Sequence, residues 1–430
     1  MKRVLIGIAV VGVLGLAGFG ALAWKPAIAP ITPPAPSNFP PDLVARGEIL
    51  ASAGYCGECH TAKGGQPYAG GYPMVTPFGT IYSTNITPDP RTGIGAWSEA
   101  AFRRAMQDGV ARDGSHLLPA FPFDHFTKLS DADVSSLYAY FMTRPAVDAP
   151  AQQNTIPFPF NIRALQAGWK LLFFRSGRYD PQPAQSAQWN RGAYLAESIS
   201  HCGACHTPRN LMGAEKRSRS FAGAAIDNWI APPLDNSNPS PAPWDKDELF
   251  AYLRTGVSRF HGSAAGPMAP VIHGLSKLPD ADIEAIAVYF ADVDGATNRP
   301  AMDPAAIRQV LAGDRLRAGL QYDPATRLYT AACASCHYNG ADKINPLRPE
   351  LTLNTAVHLD DPTNLIQVIL NGIDAKDGAV GVVMPAFRHF GDADIARIAA
   401  YLRATRTSKA SWPDLEKKVA TIRQQRSSQE

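Results

Sequence analysis

Three copies of one five-residue pattern constrain this chain most. They are Cys56-Gly57-Glu58-Cys59-His60, Cys202-Gly203-Ala204-Cys205-His206 and Cys333-Ala334-Ser335-Cys336-His337. They use all six cysteines, so none is left for a structural disulfide. Two thiols at this spacing can each bond one vinyl group of a porphyrin. The adjacent histidine then falls under the iron as its proximal ligand. A zinc site would need more thiols or histidines close by. A thioredoxin-like redox pair does not require the histidine, and three copies of one would be odd. The pattern predicts three covalently bound haem c groups. Cys56, Cys59, Cys202, Cys205, Cys333 and Cys336 are the attachment points, and His60, His206 and His337 the iron ligands.

A chain of 430 residues exceeds one small domain, and two to four domains are expected. Its net charge of +3 argues against nucleic-acid binding. The 37 prolines and 35 glycines predict long loops and short helices. Met1-Lys2-Arg3 is a short basic start, followed by 21 uncharged residues from Val4 to Trp24. Ala21-Leu22-Ala23 offers a small-x-small cleavage site, the mark of a removed signal peptide. The run is equally long enough to span a bilayer as an uncleaved anchor, the favoured reading. Either way the basic start stays inside and the rest is exported.

An internal repeat runs through the chain. Each motif is followed by a helical stretch ending in glycine (Gly109, Gly256, Gly372), a loop, and an Asp-Ala-Asp helix start (Asp131, Asp280, Asp392). Aspartate suits an N-cap and the positive end of the helix dipole. The final helices carry apolar residues at helical spacing, such as Val134, Leu137 and Phe141. Each has a tyrosine seven residues after its second aspartate, at Tyr140, Tyr289 and Tyr401. A helix before the haem motif and another closing the unit resemble class I c-type cytochromes. The expected fold is mainly α: three tandem class I cytochrome c domains with long loops, plus an N-terminal hydrophobic helix. Expected boundaries are 1–24 for the signal or anchor, 40–147 for the first domain, 148–185 for a linker, 186–297 for the second domain, 298–319 for a linker, 320–407 for the third domain and 408–430 for a tail.

The repeat also locates sixth ligands. Twelve residues beyond the three glycines lie Phe121, Met268 and Met384. Methionine is a common second axial ligand and raises the potential. Met268 and Met384, both in proline-bearing loops, are therefore expected iron ligands. Phe121 cannot ligate. Met106 is the nearby sulfur taken for the first haem, with Met74, His116 and His125 as rivals; its counterparts Leu253 and Ile369 suggest a core position. The loop from Gly64 to Gly95 is expected to cover the first haem's edge or to be plain surface. Trp97 and Trp244 are read as propionate donors or core. The apolar run Trp169-Lys170-Leu171-Leu172-Phe173-Phe174 in the first linker is read as interdomain packing, with a partner or membrane contact as alternatives. The charged tail after Ser411 is expected to be a surface helix or disordered.

Longer stretches extend the resemblance. Thr76-Pro77-Phe78-Gly79-Thr80-Ile81-Tyr82-Ser83-Thr84-Asn85-Ile86-Thr87-Pro88-Asp89, Trp189-Asn190-Arg191-Gly192-Ala193-Tyr194-Leu195 and His201-Cys202-Gly203-Ala204-Cys205-His206-Thr207-Pro208-Arg209-Asn210 resemble the three-haem cytochrome subunits of bacterial membrane-bound periplasmic dehydrogenases. The resemblance implies an electron-transfer subunit that serves a catalytic dehydrogenase chain and passes electrons to ubiquinone or a terminal oxidase. Leu118-Pro119-Ala120-Phe121-Pro122-Phe123-Asp124-His125-Phe126 is more similar to cytochromes paired with molybdenum hydroxylases, which implies a molybdopterin partner with an iron–sulfur subunit. Subunits of quinoprotein alcohol or flavin gluconate dehydrogenases, which commonly place methionine at this point, are the alternative. No acid/base pair, nucleophile or nucleotide loop is visible, so substrate oxidation is expected on another chain. An open first haem acting as an enzyme or ligand binder is the reading from another class; a free-standing shuttle is the third.

Overall fold

The computed structural model describes residues 1–298, 304–317, 323–337, 345, 347–374 and 383–427. The chain divides into two compact units. One comprises Met1–Gln182, Tyr194–His201 and Leu211–Ala214; the other comprises Pro183–Ala193, Cys202–Asn210 and Glu215–Glu430. Helices dominate, and the strands among the described residues form three two-stranded antiparallel hairpins.

The same elements recur around each motif. A lead helix precedes it: Pro41–Ala53, Ala187–Glu197 and Pro324–Ala332. A middle helix follows: Glu99–Asp108, Lys246–Thr255 and Thr363–Asn371. A closing helix ends each set: Asp131–Met142, Asp280–Val293 and Asp392–Arg406. Gly109, Gly256 and Gly372 stop the middle helices at φ of 62°, 75° and 69°, which suits glycine because it carries no Cβ.

Lead and closing helices cross at glycines. A Cβ on Gly47 would lie 2.0 Å from the Ser136 carbonyl oxygen, and one on Gly192 1.9 Å from that of Ala285. The residue before each glycine binds the partner helix. Arg46 pairs with buried Asp133 at 2.6 Å, and Arg191 grips Asp282 through two bonds of 2.7 Å. The aspartates of Asp-Ala-Asp are thus not N-caps. Ser130, Pro279 and Gly391 hold that position, and the aspartates lie in the first turn. Ser130 already accepts from the Asp133 amide, which leaves the Asp133 carboxylate for Arg46. The third lead helix has no glycine and packs Tyr329 against Tyr401 at 4.9 Å.

Two segments carry more structure than a linker or tail suggests. In 298–319, Pro304–Arg317 is a helix whose Ile307 and Leu311 are buried with Ala242, Phe260 and Leu353; 299–303 and 318–319 lie outside the described residues. The tail helix Leu415–Ser427 buries Val419 and Ile422 in the third core, beside Ile366 and Ile398. Of the two expectations for the tail, it takes the surface helix, with an apolar face, diluted by charge in the sequence, packed on that core. In the first linker, Gln166–Phe173 is a helix that buries Trp169 against Phe123 and leaves Leu171 and Leu172 exposed. Lys2–Ala23 is one helix, long and apolar enough to cross a membrane.

Candidate haem sites

Each motif folds as one helical turn. The histidine amide donates to the first cysteine's carbonyl at 2.9, 3.0 and 3.0 Å for His60, His206 and His337. A single turn puts cysteines three residues apart on one face, with the histidine following the second.

The three imidazoles are held alike. Nδ1 of His60 lies 2.7 Å from the Thr84 carbonyl oxygen, that of His206 2.7 Å from Pro232, and that of His337 3.0 Å from Pro349. A carbonyl only accepts, so Nδ1 carries the proton and the lone pair sits on Nε2. Burial lowers all three pKa values, which keeps the rings neutral. A neutral imidazole with Nδ1–H tied to a carbonyl is the form in which histidine ligates a metal. Sequence reasoning missed Thr84, Pro232 and Pro349, because the acceptors are backbone oxygens and no side chain marks them. The loop from Gly64 to Gly95 thereby orients His60.

The donor set fits haem c. None of the six cysteines is joined in a disulfide. Burial pushes Cys56 up to about 12 and Cys205 and Cys333 up to about 11, so these stay protonated at neutral pH. Structural zinc takes four protein ligands, whereas each motif supplies two thiols and one histidine. Among the described residues, no cluster of His, Cys, Asp or Glu able to hold an ion includes a motif cysteine.

The expected sixth ligands are placed as follows. Met268 is half-buried as the first residue of the helix Met268–Leu275. Met384 is half-buried against the third core and bridges Ile373 in antiparallel register. That register qualifies the twelve-residue count. His116 faces Val110 and Ser263 faces Val257, as Met384 faces Ile373. Phe121 and Met268 each lie five residues beyond their pairing residue, whereas Met384 is itself the pairing residue. Count and register therefore agree for Phe121 and Met268 but not for Met384. Phe121 packs edge-on to Phe126.

Met106 is buried on its middle helix, as are Leu253 and Ile369 on theirs. Both ring nitrogens of His116 are engaged. Nε2 lies 2.9 Å from the Ala23 carbonyl oxygen and Nδ1 lies 3.1 Å from Lys170 Nζ. His125 Nδ1 lies 3.1 Å from the Glu197 carbonyl oxygen. Met74 sits on the short strand Pro73–Thr76. Trp244 stacks on His261 at 3.8 Å, and the Trp97 carbonyl accepts from Tyr138.

Comparison with known proteins agrees with this geometry. Residues 321–402 match the family of cytochrome c oxidase, cbb3-type, subunit III. A nicotinate dehydrogenase subunit of Pseudomonas putida is 46% identical over 94% of this chain. The chain spans only 34% of that relative's length. The fructose dehydrogenase cytochrome subunit of Gluconobacter japonicus is 40% identical, with 86% of this chain and 81% of the relative covered. The gluconate 2-dehydrogenase cytochrome c subunit of Pantoea cypripedii is 37% identical, with 89% of each covered. The chain belongs to the cytochrome c subunits of bacterial dehydrogenases, electron-transfer chains rather than catalytic ones.

Proposed function

We propose that this chain carries three covalent haem c groups, one in each of three tandem class I cytochrome c domains. In this reading it relays electrons from a catalytic dehydrogenase subunit to ubiquinone or a terminal oxidase. The observation that carries the reading is the same Nδ1-to-carbonyl bond at all three motif histidines. When bound, each haem stores and releases one electron. The chain's own residues do the rest. Cysteine pairs fix each macrocycle, His60, His206 and His337 present Nε2, and Met268 and Met384 supply sulfur that raises the potential. Met106 is the sulfur this reading offers the first haem; packing, as for Leu253 and Ile369, is its competing role.

The partner we favour is a molybdopterin subunit with an iron–sulfur protein. The Phe121 segment supports it, and so does likeness to a nicotinate dehydrogenase subunit, whose named substrate is an N-heterocycle. The alternative, a quinoprotein alcohol or flavin gluconate dehydrogenase, is supported by likeness to alcohol dehydrogenase (quinone) and gluconate 2-dehydrogenase cytochrome c subunits. The proposal puts the complex on the periplasmic side of the inner membrane, with Lys2–Ala23 as its anchor.

Gentle purification from native membranes tests this, with mass spectrometry of co-purifying chains and of haem-bearing peptides. Haem on all three motifs and a molybdopterin partner are expected. A quinoprotein or flavoprotein partner would move the chain to the other branch, and isolation with no partner would overturn the subunit reading.

A further inference from the structure

The hairpin formed by Ala224–Ile226 and Trp229–Ala231 contacts both the motif histidine His206, through Pro232 at its end, and the loop that leads to Met268. At its end, the Pro232 carbonyl accepts from His206 Nδ1. On its flank, the Trp229 ring fills the space a Cβ on Gly266 would need, 2.3 Å from Cε2, two residues before Met268. Gly266 has φ of +55°, so this close approach and its backbone conformation both suit glycine.

A helix of the third repeat grips the same hairpin. Asn228 closes a two-residue turn, so Ile226 and Trp229 form the hydrogen-bonded pair beside it and the next pair, Ala225 and Ile230, is not bonded across the hairpin. The N–H and C=O of Ile230 therefore point outward as an open strand edge. Asn364, on the middle helix Thr363–Asn371, satisfies both. Its Oδ1 accepts from the Ile230 amide at 2.8 Å, and its Nδ2 donates to the Ile230 carbonyl at 2.7 Å. One turn on, buried Gln367 donates to the Asn228 carbonyl at 3.0 Å. The opposite face of this helix, Ile366 and Ile369, lies in the third core against which Met384 packs. Its terminal Gly372 lies so close to Met384 that a Cβ would meet the Met384 carbonyl oxygen at 2.2 Å.

We propose that Asn364 is a positioning residue for the second haem. Through Ile230 it holds the hairpin that orients His206 and backs the Met268 loop, and so ties the second haem's potential to the third haem's ligand loop. The inference rests on haem ligation by His206 with Met268 and by His337 with Met384. Two bonds to one residue's backbone fix it more firmly than one, and outer contacts to a ligating histidine set its basicity. Coupling of this kind is reciprocal: oxidation of either haem then biases the other.

The test is redox titration of the full chain carrying Asn364→Ala, resolved haem by haem, with Gln367→Ala as a milder second variant. Peptide mass spectrometry first establishes haem on residues 202–206; its absence would sink the haem reading itself. With haem present, Asn364→Ala should shift the second haem's reduction equilibrium about tenfold, or about 59 mV for one electron. A rise points to weakened His206 donation and a fall to a loosened Met268, and either supports the proposal. Thr355→Val is the control. It removes a separate bond between the same repeats, Ser240 Oγ to Thr355 Oγ1 at 2.8 Å, without touching the hairpin, and should leave the second haem in place. An unchanged second-haem potential in Asn364→Ala, or an equal shift in Thr355→Val, would overturn it.

Discussion

In the proposed reading Met268 and Met384 each offer one sulfur atom to a haem, and the loss of either is a residue-scale event. Leucine keeps the bulk of methionine and costs under about 1.5 kcal/mol in packing. Met268→Leu or Met384→Leu should therefore leave folding nearly intact while lowering the potential of one haem. Spectroelectrochemistry of the purified protein checks this, and a variant whose potential holds would remove that methionine as a ligand. Met106→Ala separates two roles at the first haem. Deleting a buried methionine costs about 2–5 kcal/mol whichever role it plays. Only ligation would also change the first haem's spectrum. At this scale the repeated cysteines and histidines were legible, because side chains carry that motif; the count to the methionines was only partly so, since register follows it for Met268 and departs from it for Met384. It was silent on the carbonyls of Thr84, Pro232 and Pro349, since a peptide oxygen has no letter of its own.

Among elements, the helix crossings are the most exacting feature. Gly192 lets its lead helix approach until a side-chain carbon would sit 1.9 Å from the Ala285 carbonyl oxygen. Gly192→Ala must push the helices apart, which costs about 1–3 kcal/mol or more as overpacking. Thermal melting and haem content of the second repeat measure this; a melting point equal to wild type would mean the crossing is looser than described. A second element-level case is the junction of Lys2–Ala23 with Gln166–Phe173. His116 accepts from Lys170 at Nδ1 and donates from Nε2 to Ala23, an arrangement that needs a neutral ring. Burial lowers its pKa first, followed by the charges of Lys170 and Lys25, and the Ala23 bond only partly offsets them. A histidine depressed in the fold stabilises above its unfolded value and loses that contribution as pH falls below 6.5. Hydrogen exchange over residues 23–28 and 166–174 should accelerate on acidification, and His116→Gln should flatten the response. Helix ends were readable from glycine and aspartate spacing. The cap itself was not, because Asp133 and Asp282 serve an arginine on another helix, a long-range demand that local pattern cannot reveal.

For the molecule as a whole, the repeat and the N-terminal apolar helix were visible in the sequence, but the value of the intervening segments was not. Their apolar residues are scattered among charges, and only the fold decides which face is covered: Val419 and Ile422 are buried, whereas Leu171 and Leu172 are 70% and 72% exposed. Those two leucines belong to a helix that packs beside the N-terminal one, with the Phe19 ring 3.6 Å from where a Cβ on Gly168 would sit. If Lys2–Ala23 spans the membrane as proposed, two exposed leucines beside it are suited to lie in the headgroup region, where each fully buried leucine is worth about 1.5–3 kcal/mol. One such contact holds only weakly and reversibly, whereas a spanning helix holds firmly. Deleting residues 1–24 should accordingly leave a fraction of the protein on vesicles. Leu171→Ser with Leu172→Ser in that background should release it, while the same pair in the full-length chain should stay bound. Flotation of the three proteins with lipid vesicles reads this out. If the deletion alone is fully released, the leucines do not face lipid and the first helix is the sole attachment.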